Sequence, residues 1–244
     1  MILYVNGDSY TVMSDGKRYS DYLEELLQCT SINAAVSGSC NNRIFRTSLR
    51  DLIELKQTTN EDIVAVIALS FTIRTELWDR THLINKWRTS NDGDFLSLQF
   101  ATSPNWFSKK DQVSSSNGSY KNYSRQWMEW FNIEAETTKL LQEIILLTSW
   151  CDNNNIKYVL FSSALHHPID FTAPFINSFY ELINSNKNII NIFKQSFTEY
   201  CIINEHIPID DYSQEMNGKK YIIGHHGEEA HKDFANYIFE NYLK

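Results

Sequence analysis

The chain has 244 residues, 42% of them apolar, enough to bury a substantial core, so an intrinsically disordered chain is excluded. Its 22 basic residues against 30 acidic ones leave a net charge of −8, which excludes the electrostatic footprint of a duplex-binding protein. No apolar run reaches the roughly 18 residues a membrane span needs.

The length fits one sizeable α/β domain, residues 1–244, carrying an insertion. Met1 to Asp8 has neither the basic start nor the apolar stretch of an export signal, so a cytoplasmic location is expected. Cys29, Cys40, Cys151 and Cys201 stand far apart, without the paired spacing of a zinc site or a disulfide framework, and read as reduced thiols. The basic spots at Arg43, Arg46, Arg50 and at Lys109, Lys110 are too sparse to make nucleic acid a partner.

Along the chain, Ile2-Leu3-Tyr4-Val5-Asn6 is a short apolar run stopped by Gly7-Asp8-Ser9, which reads as a buried strand and a tight turn. Tyr19 to Leu27 has helical periodicity, with Tyr19, Tyr22, Leu23, Leu26 and Leu27 on one face and Ser20 or Asp21 as the cap. Ser31 to Val36 is a second strand, ending at Ser37-Gly38-Ser39. A helix over Asn42 to Leu55 would bury Ile44, Phe45, Leu49, Leu52 and Ile53. Ile63 to Leu69 is continuously apolar, as a strand covered on both faces must be. This β-α-β-α-β order calls for a parallel sheet with right-handed crossovers.

From about Thr89 to Tyr123 polar residues dominate, with Phe95, Phe100, Trp106, Phe107, Tyr120 and Tyr123 scattered among them; this reads as an insertion or lid folded over the sheet edge. A long helix is expected over Tyr123 to Asn153, then a strand over Ile156 to Phe161. A helix over Phe175 to Ile192, a short strand at Tyr200 to Ile203 and a final helix over Gly227 to Leu243 complete the chain.

Open parallel sheets bind ligands at the carboxyl ends of their strands. Ser9 follows the first strand, Gly38, Asn41 and Asn42 the second, and Ser70, Thr72 and Arg74 the third; His225, His226 and His231 stand before or within the last helix. A serine hydroxyl becomes a nucleophile when an imidazole takes its proton, and backbone N–H groups stabilise the oxyanion that forms, so these residue types together point to acyl chemistry. Arg74 and Glu76 most simply pair with each other. His231, one turn into a helix, reads as structural, and His166-His167-Pro168 as a surface loop.

Gly7-Asp8-Ser9 resembles the first block of the SGNH (GDSL-like) hydrolase family, and Asn33 to Ile44, around Gly38, resembles the second, in a form close to phage-encoded members. Gly224-His225-His226-Gly227-Glu228-Glu229-Ala230-His231 resembles the last. The resemblance spans residues 1 to about 78 and about 140 to 244. It implies a three-layer α/β/α sandwich with a mostly parallel, flavodoxin-like sheet, and a serine esterase or deacylase that needs no cofactor or metal. Its substrate would be a small-molecule or carbohydrate ester, with an acetyl or short acyl group.

Residue by residue, the resemblance implies Ser9 as nucleophile and His225 as general base, five residues before Ala230, with His226 in place of the usual proline. The oxyanion hole would comprise Ser9 and Gly38 N–H, assisted by Asn41 or Thr72; Asp8, Arg74 and His226 are candidate substrate contacts. Two departures stand out. Ser70-Phe71-Thr72-Ile73 replaces the family's Gly-x-Asn-Asp block, and Ile222 stands where an aspartate would orient His225, leaving that work to Asp210, Asp211 or a backbone carbonyl. These departures also fit a non-catalytic binding module of the same fold, and the second block fits a structural protein of a virus particle. The sequence leaves the oligomeric state open.

Overall fold

The computed structural model of the protein describes residues 1–72, 74–78, 95–99, 132–164, 174–190, 195–210, 213–216, 219–222 and 224–244. Strand β1 (Ile2–Asn6) pairs in parallel with β2 (Thr30–Asn33) on one side and β3 (Ile63–Leu69) on the other. Strand β3 pairs in parallel with β6 (Lys157–Ser162), giving the order β2-β1-β3-β6. A parallel bridge from Leu160 to Ile189 begins a fifth position at that edge. The chain steps from β1 outward to β2, then crosses back to β3. The strand order therefore reverses between β1 and β3, and their carboxyl ends are the switch point at which open α/β sheets bind ligands.

Alternation along the strands sends side chains to two apolar layers. Tyr4, Ala65, Ile67, Leu69, Tyr158 and Leu160 pack against α3 (Asn41–Thr58), α4 (Ile133–Asn153) and α5 (Pro174–Asn184). Leu3, Val5, Val64, Val66, Val159 and Phe161 pack against α2 (Tyr19–Leu27), α6 (Phe197–Ile203) and α7 (Glu228–Ile238). Every residue of β3 is buried, as a central strand covered by helices on both faces requires. The architecture is thus an α/β fold with a four-stranded, all-parallel sheet flanked by helices.

Two antiparallel ribbons lie outside this sheet. Strand β4 (Arg74–Trp78) pairs with β5 (Phe95–Gln99), and β7 (Ser213–Met216) with β8 (Lys219–Ile222). The sequence pattern revealed neither. Of the expected insertion at about 89–123, only Phe95–Gln99 lies within the described residues, and His166-His167-Pro168 lies outside them.

Several expectations need correction. Leu49 and Ile53, expected inward on α3, are 38% and 36% exposed. Buried Asn6 donates to Thr47 Oγ1 at 2.8 Å and Ser48 Oγ at 2.9 Å, which turns those polar residues toward the sheet and the two apolar ones outward. The segment read as a strand at Tyr200 to Ile203 is helical. A reciprocal capping box between Ser196 and Glu199 starts α6, and its Phe197 and Cys201 are buried. The preceding helix stops at Asn184 and the chain then runs along β6, so Ile189 bridges to Leu160. Only the Ile133–Asn153 part of the long helix is described. Neither Ser20 nor Asp21 is the cap residue of α2: Arg18 is, with Asp21 accepting from its N–H at 2.8 Å.

Candidate active site

Ser9 is the first residue of a one-turn helix, α1 (Ser9–Val12), at the carboxyl end of β1. The turn that carries it is fixed from below. Asn6 Oδ1 accepts from Gly7 N–H at 2.8 Å, and Asp8 caps α1 by accepting from Tyr10 N–H at 3.1 Å. The other Asp8 oxygen, Oδ2, accepts from Ser70 Oγ at 2.8 Å, Arg74 Nη1 at 3.0 Å and Ser163 Oγ at 3.2 Å. Asp8 is therefore fully buried and spent on structure, so it offers substrate no accessible group, contrary to the sequence expectation.

Arg74 likewise differs from expectation. It pairs with Asp8 rather than Glu76, and its guanidinium is stacked over the Phe71 ring, 4.7 Å from the centroid. Glu76 pairs instead with Arg46 at 2.7 Å. A carboxylate as deeply buried as Asp8 needs a compensating cation, and Arg74 comes from the neighbouring strand end to supply it. The basic run read from the sequence is consumed in the same way. Arg43 donates to Ser39 Oγ at 3.2 Å, Arg46 holds Glu76, and Arg50 pairs with Asp51.

Gly38 adopts φ 78°, the left-handed region that favours glycine, at the turn after β2. That turn is tied to the serine turn by Val36 N–H donating to Gly7 C=O at 3.2 Å. Asn41 and Ser70 exchange two hydrogen bonds, from Asn41 Nδ2 to the Ser70 carbonyl at 2.9 Å and from Ser70 N–H to Asn41 Oδ1 at 2.7 Å. The Asn41 amide thus locks the β3 turn to α3 and keeps one donor hydrogen. Thr72 is buried, and its Oγ1 has no hydrogen-bond partner among the described residues. It lines a narrow cleft with Asn41, Asn42, Arg74 and residues of α4.

His225 lies on a segment clamped to the chain just before the β7–β8 ribbon. Pro208 bridges His226 in antiparallel fashion, and Ile209 N–H donates to the His225 carbonyl at 2.8 Å. This clamp delivers Asp210. One carboxylate oxygen accepts from His225 N–H and the other lies 2.5 Å from His225 Nδ1. Asp210 stands 15 residues upstream of His225, while Ile222, three residues before it, belongs to β8. Gly224 permits the approach: a Cβ there would stand 2.2 Å from the Asp210 carbonyl oxygen and 2.4 Å from Pro208 Cβ. The His225 ring packs against Tyr10, centroids 5.0 Å apart, which sets the imidazole beside the residue that follows Ser9.

The other two candidate histidines, His226 and His231, are interior. His226 is 1% exposed, edge-on to Phe197, and both its ring nitrogens lack hydrogen-bond partners among the described residues. It too presents no accessible group to substrate, correcting the sequence expectation. His231 accepts from Tyr19 N–H through Nδ1 and faces the Met13 carbonyl through Nε2, both at 3.2 Å, the arrangement of a structural histidine. Burial depresses both pKa values to about 4, because the charged form loses its hydration. No group of three His, Cys, Asp or Glu residues among those described is placed to hold a metal. No described helix is long and apolar enough to cross a membrane.

No protein-family model matches the chain, and no curated protein matches it. Among solved structures the chain is similar to an acetyl xylan esterase, at 15% identity and a TM-score of 0.47. It is also similar to a protein from Desulfitobacterium hafniense DCB-2 described as lipolytic and of the G-D-S-L family, at 13% identity and a TM-score of 0.44. Each likeness covers 98% of this chain and 98% of the other.

Proposed function

We propose that the protein is a serine hydrolase that cleaves a small ester, with Ser9 as nucleophile, His225 as general base and Asp210 as the residue that orients it. The observation that carries this reading is the Asp210–His225 contact, 2.5 Å at Nδ1, with the imidazole packed on Tyr10 next to Ser9. An ionised carboxylate only accepts, so the proton between them belongs to Nδ1, which leaves Nε2 as the proton acceptor. Ser9 Oγ attacks the acyl carbon as its proton passes to Nε2. The imidazolium then protonates the departing alcohol oxygen, breaking the ester bond and leaving an acyl-serine. Water, deprotonated by the same nitrogen, releases the acid and restores Ser9.

The tetrahedral oxyanion is assigned to the N–H groups of Ser9 and Gly38, neither of which donates to a backbone carbonyl among the described residues. Each such donor contributes about 3 kcal/mol to the transition state. Thr72 Oγ1, buried without a partner among the described residues, is the better third donor, since Asn41 is tied to Ser70. Ser9 is only 7% exposed, which favours an acetyl or other short acyl group, on a carbohydrate or a simple alcohol.

Hydrolysis of p-nitrophenyl acetate by the purified protein beside Ser9→Ala, with a serine-reactive phosphonate followed by mass spectrometry, tests the assignment. Labelling at Ser9 and turnover lost in the variant are expected. Equal turnover in Ser9→Ala would sink the mechanism. A folded protein that neither turns over the ester nor takes the probe would instead be a binding module that has kept the fold.

A further inference from the structure

The three turns that build the candidate site come from different strands, and one side-chain nitrogen touches all of them. Arg74 Nη1 donates to Asp8 Oδ2 at 3.0 Å in the serine turn, to the Ser39 carbonyl at 3.2 Å in the Gly38 turn, and to Ser70 Oγ at 2.8 Å after β3. Ser70 Oγ itself donates to Asp8 Oδ2 at 2.8 Å, and Ser70's backbone is held by Asn41. Both charges are almost fully withdrawn from water, with side chains 7% and 0% exposed, and Phe71 covers the guanidinium.

A buried ion pair is a poor device for stability alone, because desolvating two charges costs about as much as their attraction returns. Hydrophobic side chains of similar size would hold the three turns together as firmly. What they would not do is fix the turns at a set separation, since apolar contacts lack direction, whereas the two hydrogens of Arg74 Nη1, one of them shared between two of the three acceptors, prescribe distance and angle. The two N–H groups assigned to the oxyanion, Ser9 and Gly38, each sit one residue from an atom or residue that Arg74 holds.

Resting on the serine-hydrolase reading, we propose that Arg74 is a positioning residue: through Asp8 and the Ser39 carbonyl it sets the distance between the Ser9 and Gly38 N–H donors. It acts on turnover through those turns and makes no contact with substrate. Two variants distinguish this from a structural role. Arg74→Met leaves Asp8 as an uncompensated buried carboxylate and so lowers both the melting midpoint and kcat. In the double variant Asp8→Asn/Arg74→Met no charge is stranded, and the amide oxygen introduced at position 8 still caps α1, so the melting midpoint returns toward that of the wild type. The tether to Ser39 remains absent, so kcat does not return.

The experiment measures kcat, KM, the rate of phosphonate labelling at Ser9 and the melting midpoint for the wild type, Arg74→Met, Arg74→Lys and the double variant. The expected result is a kcat about 100-fold lower in the double variant, the scale of a misplacement of roughly 1 Å, with KM within a few-fold of wild type. Arg74→Lys, which retains the charge but spans fewer acceptors, falls between. Recovery of kcat together with the melting midpoint in the double variant overturns the positioning role and leaves a structural pair. Should Arg74→Met not fold, Arg74→Lys and the double variant decide. A wild type that is neither labelled nor active overturns this proposal together with the reading beneath it. A labelled, active wild type with an equally active double variant overturns this proposal alone.

Discussion

Ser9 leaves the sheet from β1, a strand paired on both sides, and its turn is fastened by a buried carboxylate with four hydrogen-bond donors. His225 is held by an antiparallel bridge between two loop segments, by Asp210 and by its ring contact with Tyr10. Ile207 and Ile209, on the same bridge, are 84% and 47% exposed. The geometry of Ser9, the proposed nucleophile, is therefore part of the core. His225, the proposed base, is set by a local clamp, which is expected to be open to disturbance while the core stays folded. Such a division separates what stability protects from what local structure tunes.

The largest effect expected from this contrast is at Ser9. Ser9→Ala should reduce turnover by about a million-fold, to the residual rate that binding and the oxyanion donors sustain. Its melting midpoint should stay near that of the wild type, since no hydrogen bond of the core is lost. Asp210→Asn comes next. An amide at that position can donate to Nδ1 and so favours the wrong tautomer, for which a loss of about ten-thousand-fold in kcat is expected with the fold intact. Were Asp210→Asn to unfold the protein as readily as a core substitution, the clamp would not be local and the contrast would fail.

The next effect compares two histidines that share a depressed pKa of about 4 but lie in different surroundings. Each is neutral in the folded protein, and each takes up a proton in the unfolded chain below its ordinary value of about 6.5. Stability should therefore be lost as pH falls from about 6.5 to about 4, by on the order of 3 kcal/mol for each histidine, and level off below. His226 has no hydrogen bond among the described residues to lose, so His226→Phe should remove its share of the acid loss and keep the contact with Phe197. His231 links α7 to Tyr19 and Met13, so His231→Phe should cost stability at neutral pH as well. Urea unfolding at pH 7 and pH 5 reads both. Equal behaviour of the two variants would show that His226 has partners beyond those described.

The same contrast explains what was legible in the sequence. The parallel sheet can be read because β1 and β3 are apolar runs stopped by small residues; Ser9, Gly38 and His225 are candidates because they fall in order at strand ends and before the last helix. Asp210 was no more than one of several options. No local spacing links it to His225; a backbone bridge brings together residues 15 apart. Arg74 and Glu76, opposite charges two residues apart after β3, suggest a local ion pair, yet the buried Asp8 has the greater need of a cation. Periodicity places Leu49 and Ile53 inward because it counts apolar residues and gives no weight to a buried Asn6 that draws Thr47 and Ser48 inward.

The smallest effect is also the sharpest test of locality. Gly224→Ala adds one methyl group where the nearest atoms are the Asp210 carbonyl oxygen at 2.2 Å and Pro208 Cβ at 2.4 Å. Neither is the flexible end of a side chain, so the 208–210 segment must move off, taking the Asp210 carboxylate with it. The expected outcome is a fall in kcat of about 100-fold, the cost of an imidazole held out of line by roughly 1 Å. The melting midpoint should change little, because the clamp lies outside the four-stranded sheet. Hydrogen exchange at Ile209, whose N–H donates to the His225 carbonyl, should speed up in the variant while that of β3 stays slow. Faster exchange in β3 would mean that the clamp and the core open together, and that His225 is anchored as deeply as Ser9.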